Sequence, residues 1–306
     1  MQLAREVILV TGGYGFLGRN VVHQLRERGC NVIACRGREY DLRNKEYADM
    51  LFHRHRPTVV IHCAAAVGGI QANQREPGRY FRDNLLMGVN VIDACREYGV
   101  QKCCVVGSVC SYPKFCPVPF LPESFFQGRP EETNEGYGAS KRALLVMLES
   151  YKAQYGLDFA YPVLANLYGP YDQFDESTSH VIPALIKKFV AAVRTGAREV
   201  EVWGDGTASR EFLFVRDAAR AVVECAESAS GFVNVGTGIE TTIAELARII
   251  AELTGFRGEL KWNAARPNGQ PRRQLGALWP METTRLHDGL KETIDWYAAL
   301  PEVQEC

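Results

Sequence analysis

No one sign of charge predominates in this 306-residue sequence, where 35 Lys and Arg stand against 36 Asp and Glu. That balance excludes the strong field by which nucleic-acid and anionic-membrane binders hold their partners. The basic pairs that occur, Lys187-Lys188 and Arg272-Arg273, are local and suit a small anionic ligand better than a polyanion. Long apolar runs are also lacking; none approaches the roughly 20 residues of a membrane span. The opening Met1-Gln2-Leu3-Ala4-Arg5-Glu6 leads straight into a strand-like run, so no signal peptide is expected. Metal-ligand spacing is missing too: Cys30 and Cys35, or Cys110 and Cys116, lack properly spaced partners, so no metal is expected. Ten cysteines are present but scattered, and Cys63, Cys103, Cys104 and Cys225 read as small buried hydrophobes of a reducing, cytoplasmic compartment.

What is present is a rhythm. Short apolar runs alternate with helical periods, the pattern of a doubly wound parallel sheet covered by helices. Val7–Val10, Asn31–Cys35, Thr58–His62, Lys102–Val106 and Asp158–Val163 read as strands. Phe16–Arg28, Glu46–His55, Asn84–Tyr98 and Tyr137–Tyr155 read as helices, and Tyr112–Asn134, rich in Pro and Phe, as a long functional loop. After Asn166 the segments become short and mixed, with Ser179–Arg194 and Val200–Trp203 suggesting a cap. Glu211–Ala229 and Val233–Val235 read as a return to the main sheet, and Thr242–Thr254 as another cap helix. The expected division is a dinucleotide-binding domain over 1–166 and 211–236, and a smaller α/β substrate domain over 167–210 and 237–306.

Thr11-Gly12-Gly13-Tyr14-Gly15-Phe16-Leu17-Gly18 follows the first strand and opens a helix. Glycines at that junction allow a tight turn and let backbone N–H groups approach a pyrophosphate at the helix N-terminus. Alone the pattern is weak; at the first strand of an alternating chain it reads as a dinucleotide site. The second strand ends in Arg36-Gly37-Arg38 where an NAD enzyme would place an acidic residue. An arginine fork suits a 2′-phosphate, so NADP(H) is the expected cofactor.

Tyr137-Gly138-Ala139-Ser140-Lys141 puts a phenol and an ammonium four residues apart, on one helical face. A nearby ammonium stabilises a phenolate and is expected to lower the tyrosine pKa from about 10 towards neutrality. Such a phenol exchanges a proton with a carbonyl or hydroxyl as hydride moves. Ser108, at the end of the fourth strand, completes a set that chance seldom assembles.

With these motifs the chain resembles the extended short-chain dehydrogenase/reductase family. The glycine loop, Asp41-Leu42, His62-Cys63-Ala64-Ala65, Asn84, Ser108 and the Tyr/Lys pair fall in family order over nearly the whole chain. The resemblance implies that Gly12, Gly15, Phe16, Leu17, Gly18, Arg36, Asp41, Leu42, Ala64, Ala65, Tyr137, Lys141, Asn166, Leu167 and His180 contact the cofactor. It also implies a nucleotide-sugar substrate and a homodimer formed through the helices at Asn84–Tyr98 and Tyr137–Tyr155.

A finer likeness is to the branch of that family that inverts C3 and C5, then reduces C4, of GDP-linked 4-keto-6-deoxy-mannose. It rests on Val67–Asn73, Ser108–Lys114, Pro130–Glu135, Asn166–Phe174, Ser179–Ala184, Trp203–Gly206 and Arg210–Leu213. It implies Cys110 as base and His180 as acid, with Asn73, Ser108, Lys188, Trp203 and Arg210 contacting the substrate. Thiols and imidazoles ordinarily titrate near 8.5 and 6.5, close enough to neutrality for that work. The chain departs from the branch after Arg272-Arg273, where the usual Leu-Asp-x-Ser/Thr-Arg segment is shortened or missing. Two alternatives stay open: a related reductase or epimerase that inverts a single centre, and a non-catalytic dinucleotide-binding sensor.

Overall fold

The computed structural model describes residues 1–175, 178–266 and 269–304. Its large sheet is all-parallel, in the order β2 (Asn31–Ala34), β1 (Val7–Thr11), β3 (Val59–His62), β4 (Lys102–Val105), β6 (Asp158–Leu164), β10 (Gly231–Val235); β5 (Gly107–Ser108) also pairs with β6. Ile8, Leu9 and Val10 are fully buried, as a parallel strand covered on both faces requires. Helix α1 (Phe16–Glu27) packs with α7 (Val215–Ser228). On the other side α4 (Pro77–Glu97) packs with α2 (Lys45–His55) and α5 (Glu135–Tyr155). The expected doubly wound fold is therefore the observed one. Strand order reverses about β1, which pairs with β2 on one side and β3 on the other. A crevice at the carboxyl ends of these strands is where such sheets bind ligands.

A second hydrophobic core gathers around two small sheets. One is β7 (Asn166–Tyr168), β9 (Ser209–Phe214) and β11 (Glu240–Thr242); the other is β8 (Glu199–Trp203) and β12 (Glu259–Asn263). Helix α6 (Val181–Thr195) supplies Ile182, Ile186 and Phe189, and α8 (Ile243–Thr254) supplies Leu246, Ala247 and Ile250. Thr242 and Glu245 close α8 with a reciprocal capping box. Helix α9 (Leu286–Ala298) completes this layer.

Several elements differ from their expected form. Helix α4 starts at Pro77, about two turns before Asn84, because Pro occupies the first helical turn. The short α3 (Ile70–Arg75) precedes it. Glu211–Phe214 belongs to β9 in a small sheet, not to the main sheet, whereas α7 and β10 do pack on the main core. Met281-Glu282-Thr283-Thr284-Arg285 stands immediately before α9. The stretch ahead of it bridges to β10, where Trp279 N donates to Asn234 O (2.7 Å).

Candidate active site

A cleft of about 1230 Å³ opens at the carboxyl ends of the main strands and extends to α6, β8 and β9. It exceeds the usual range for one small ligand, about 300–1,000 Å³, and so has room for a dinucleotide beside a second molecule. Its floor is the glycine loop. Gly12 has φ +65°, and a Cβ there would meet Ala64 backbone at 2.8 Å; at Gly13 it would meet Ala34 Cβ at the same distance. No side chain caps the N-terminus of α1, whose first N–H groups lack partners within the helix. The cradle therefore stays free of carbon and lined with donors, which fits a pyrophosphate. Ala64 and Ala65 face it from the loop after β3. Asn84 pins that loop by accepting from Ala66 N and donating to Ala66 O, both at 2.9 Å.

The three expected contacts beyond β2 lie outside the cleft wall proper. Arg36 is exposed and its guanidinium stacks 4.1 Å from the ring centre of Tyr14, which does line the cleft. Asp41 is held by Arg43, whose Nε and Nη2 donate at 2.8 and 2.7 Å. Leu42 is buried in the core, where its carbonyl accepts from Asn90. Every other expected site residue lines the cleft.

At the centre, β5 presents Ser108, the turn after it presents Cys110, and the first two turns of α5 present Tyr137 and Lys141. Ser108 Oγ accepts from Cys110 N (3.2 Å), which fixes the thiol next to the hydroxyl. Lys141 Nζ donates to Val106 O (2.9 Å) and stands 5.9 Å from the Tyr137 ring centre. Burial pushes Lys141 down to about 8. Burial, together with the neighbouring Cys110, holds the Tyr137 phenol well above its usual value, against a hydrogen bond from Ser108. This reverses the expected direction for Tyr137: with the ammonium turned to a carbonyl, desolvation outweighs its attraction for a phenolate. The tyrosine is a neutral acid.

The opposite wall carries the remaining candidates. His180 precedes α6 with its imidazole open to the cleft; the surrounding protein and then Arg273 lower its proton affinity. Lys188 donates to Glu201 O (2.8 Å) and lies 5.4 Å from the Trp203 ring centre, which Arg266 approaches at 4.8 Å. Arg210 is buried, brought down to about 9 by burial and then by Arg273. Asn73 is buried, donating to Gly68 O and Gly69 O. Asn166 and Leu167, on β7, line the same wall.

Arg273 and Gln270 also line the cleft, and neither was anticipated as a site residue. The sequence shows Arg272-Arg273 only as a basic pair. In an extended segment neighbours face opposite ways, which was the available signal that one of the two points inward. Among the described residues, no three His, Cys, Asp or Glu side chains gather as a metal site, and no helix is long and apolar enough to cross a membrane.

GDP-L-fucose synthase 1 of Arabidopsis thaliana is 40% identical over 298 residues, covering 95% of this chain and 92% of that protein. GDP-L-fucose synthase of Escherichia coli is 36% identical, covering 96% and 97%. The solved GDP-mannoheptose C4 reductase from Campylobacter jejuni, with NADP bound, superposes with a TM-score of 0.87 at 30% identity, covering 98% and 100%. Residues 8–236 match the model of the NAD dependent epimerase/dehydratase family, and the chain belongs to that family.

Proposed function

We propose that this chain converts GDP-4-keto-6-deoxy-D-mannose to GDP-L-fucose by 3,5-epimerisation and NADPH-dependent 4-reduction. The observation that carries the reading is one cleft that joins Cys110 and His180 to Ser108, Tyr137 and Lys141. A reductase alone has no use for the first two.

The C4 ketone acidifies the hydrogens on C3 and C5. Cys110 takes each proton and His180 returns one from the other face, inverting the centre. Ser108 holds the carbonyl oxygen. Tyr137, kept protonated by burial, gives its proton to that oxygen during reduction. NADPH, when bound, supplies the hydride to C4. Lys141 would hold its ribose and recharge the phenol; Gly12, Gly15, Phe16, Leu17 and Gly18 would hold its pyrophosphate, with Arg36 on the 2′-phosphate. Asn73, Lys188, Trp203 and Arg210 would hold the GDP-sugar, Arg210 as a buried cation against the diphosphate.

The same reading divides the chain into the cofactor and substrate domains expected from its sequence. It makes the enzyme a homodimer through α4 and α5, which expose Phe81, Val146 and Tyr155. NADPH chemistry and free thiols both suit the cytoplasm.

Incubation with GDP-4-keto-6-deoxy-mannose and NADPH, followed by NMR of the product, tests the reading. GDP-L-fucose is expected; a C4-reduced sugar with C3 and C5 uninverted would overturn the epimerase half. With NADPH omitted, the wild type should exchange the C3 and C5 hydrogens with D2O, and Cys110→Ser should slow that exchange sharply. Unchanged exchange in the variant removes Cys110 as the base.

A further inference from the structure

We propose that Arg273 is the positioning residue of Cys110, holding its sulfur in the cleft and stabilising the thiolate that takes the substrate proton. The proposal rests on the reading of Cys110 as the base. Arg273 Nη1 lies 3.2 Å from Cys110 Sγ and donates to Asn166 Oδ1 at 3.2 Å, while its Nε donates to Gln270 Oε1 at 3.0 Å. Gln270 is itself buried and anchored, donating to Pro113 O and Lys114 O at 3.1 and 2.9 Å. These carbonyls follow Cys110 closely in the chain, so one network fixes both the guanidinium and the segment that carries the thiol.

The main chain under Arg273 is just as constrained. Its carbonyl accepts from Glu211 N (3.0 Å), and Pro271 O accepts from Ser209 N (2.9 Å). On the other side Phe120 N donates to Gln274 O (2.7 Å), and Gly276 N to Phe120 O (2.9 Å). Residues 271–276 thus run between β9 and the long loop after Cys110 and deliver one side chain of the pair inward. Arg272 goes the other way, exposed and paired with Glu240 (2.6 Å).

Charge decides what Arg273 does there. It is buried, and among the described residues its partners are all neutral: Gln270, Asn166 and Cys110. A buried guanidinium with no carboxylate favours an anion beside it, and the thiol is the group on hand to become one. After burial, the same charge lowers the proton affinity of His180. Arg273 thereby acts on both members of an acid–base pair that must work from opposite faces of the sugar.

Only a thiolate is alkylated at a useful rate, so iodoacetamide reports the state of Cys110 without involving the reaction. The full-length wild type, Arg273→Met and Arg273→Lys are alkylated near neutral pH, and the Cys110 peptide is quantified by mass spectrometry. The Met variant should react about tenfold more slowly, and Lys, which keeps the charge, should recover most of that loss. If the Met variant does not fold, Arg273→Gln takes its place. In D2O exchange, the neutral variant should lose turnover with little change in half-saturating substrate. Equal alkylation rates in the wild type and a folded neutral variant overturn the proposal, as does a Lys variant no faster than Met. Failure of the base reading looks different: exchange would survive Cys110→Ser while the alkylation difference stood.

Discussion

Tyr137 and Lys141 stand one helical turn apart and are perturbed by a common cause. Burial disfavours the charged form of each, raising the phenol and bringing the ammonium down to about 8. For Lys141 the sign of the effect on stability follows directly. Between about 8 and 10.5 the folded state has released a proton that the unfolded chain still holds, so stability rises with pH across that window. Lys141→Met removes the titrating group and leaves only a constant offset from the Val106 carbonyl. Denaturant unfolding of both proteins should show the wild type gaining roughly 2 kcal/mol on the variant between about pH 8 and pH 10. A flat difference would mean that Lys141 is not depressed.

Arg36 carries a second residue-scale expectation. Its guanidinium lies over the Tyr14 ring, 4.1 Å from the ring centre, and a guanidinium so placed can still offer its fork to a phosphate. Arg36→Asp should weaken NADPH far more than NADH, because only NADPH bears the 2′-phosphate. Fluorescence titration with both cofactors checks this, and equal losses would show that Arg36 does not read that group.

Among the elements, the extended run through residues 271–276 depends most on one side chain. Glu211, buried on β9, accepts from Gly238 N and Leu275 N, both at 2.7 Å. Glu211→Ala strands one buried and one part-buried donor and should cost about 2–4 kcal/mol in urea unfolding. Glu211→Gln keeps one acceptor oxygen and should cost less. A loss in the Ala variant comparable to a surface substitution would show that water takes over both donors.

This run also marks where sequence reading stops. Ser108, Tyr137, Lys141 and the glycine loop were legible because their chemistry depends on spacing within one element or one turn. Helix α4 was placed late because Gly78, Arg79, Arg82 and Asp83 interrupt its apolar period before Asn84, although Pro77 opens it. β9 was missed for a sharper reason. Its Arg210 and Glu211 are charged yet buried, and Glu211 is held by groups remote in sequence, so no polar–apolar alternation announces a strand. Arg273 lies 163 residues from Cys110, and no local pattern could tie them.

At the scale of the whole molecule, the two cores meet at the cleft, with Gly12–Gly18 contributed from one and Leu185, Val202 and Phe212 from the other. The homodimer reading places a second copy across α4 and α5. Val146→Glu adds a charge to that exposed face and should yield a monomer with unchanged circular dichroism in sedimentation velocity. A wild type that sediments as a monomer would remove the dimer from the proposal.

The threading of residues 271–276 has a consequence in time. A chain emerging from the ribosome can pair every strand of the large sheet once Val235 is out. Arg273 follows 38 residues later, an interval of about 2–8 s at ordinary elongation rates. Through that interval the nascent protein can own a finished cofactor cradle and a Cys110 without the Arg273 guanidinium beside it. Its dinucleotide grip is inherited early, and its command over carbon acids comes last.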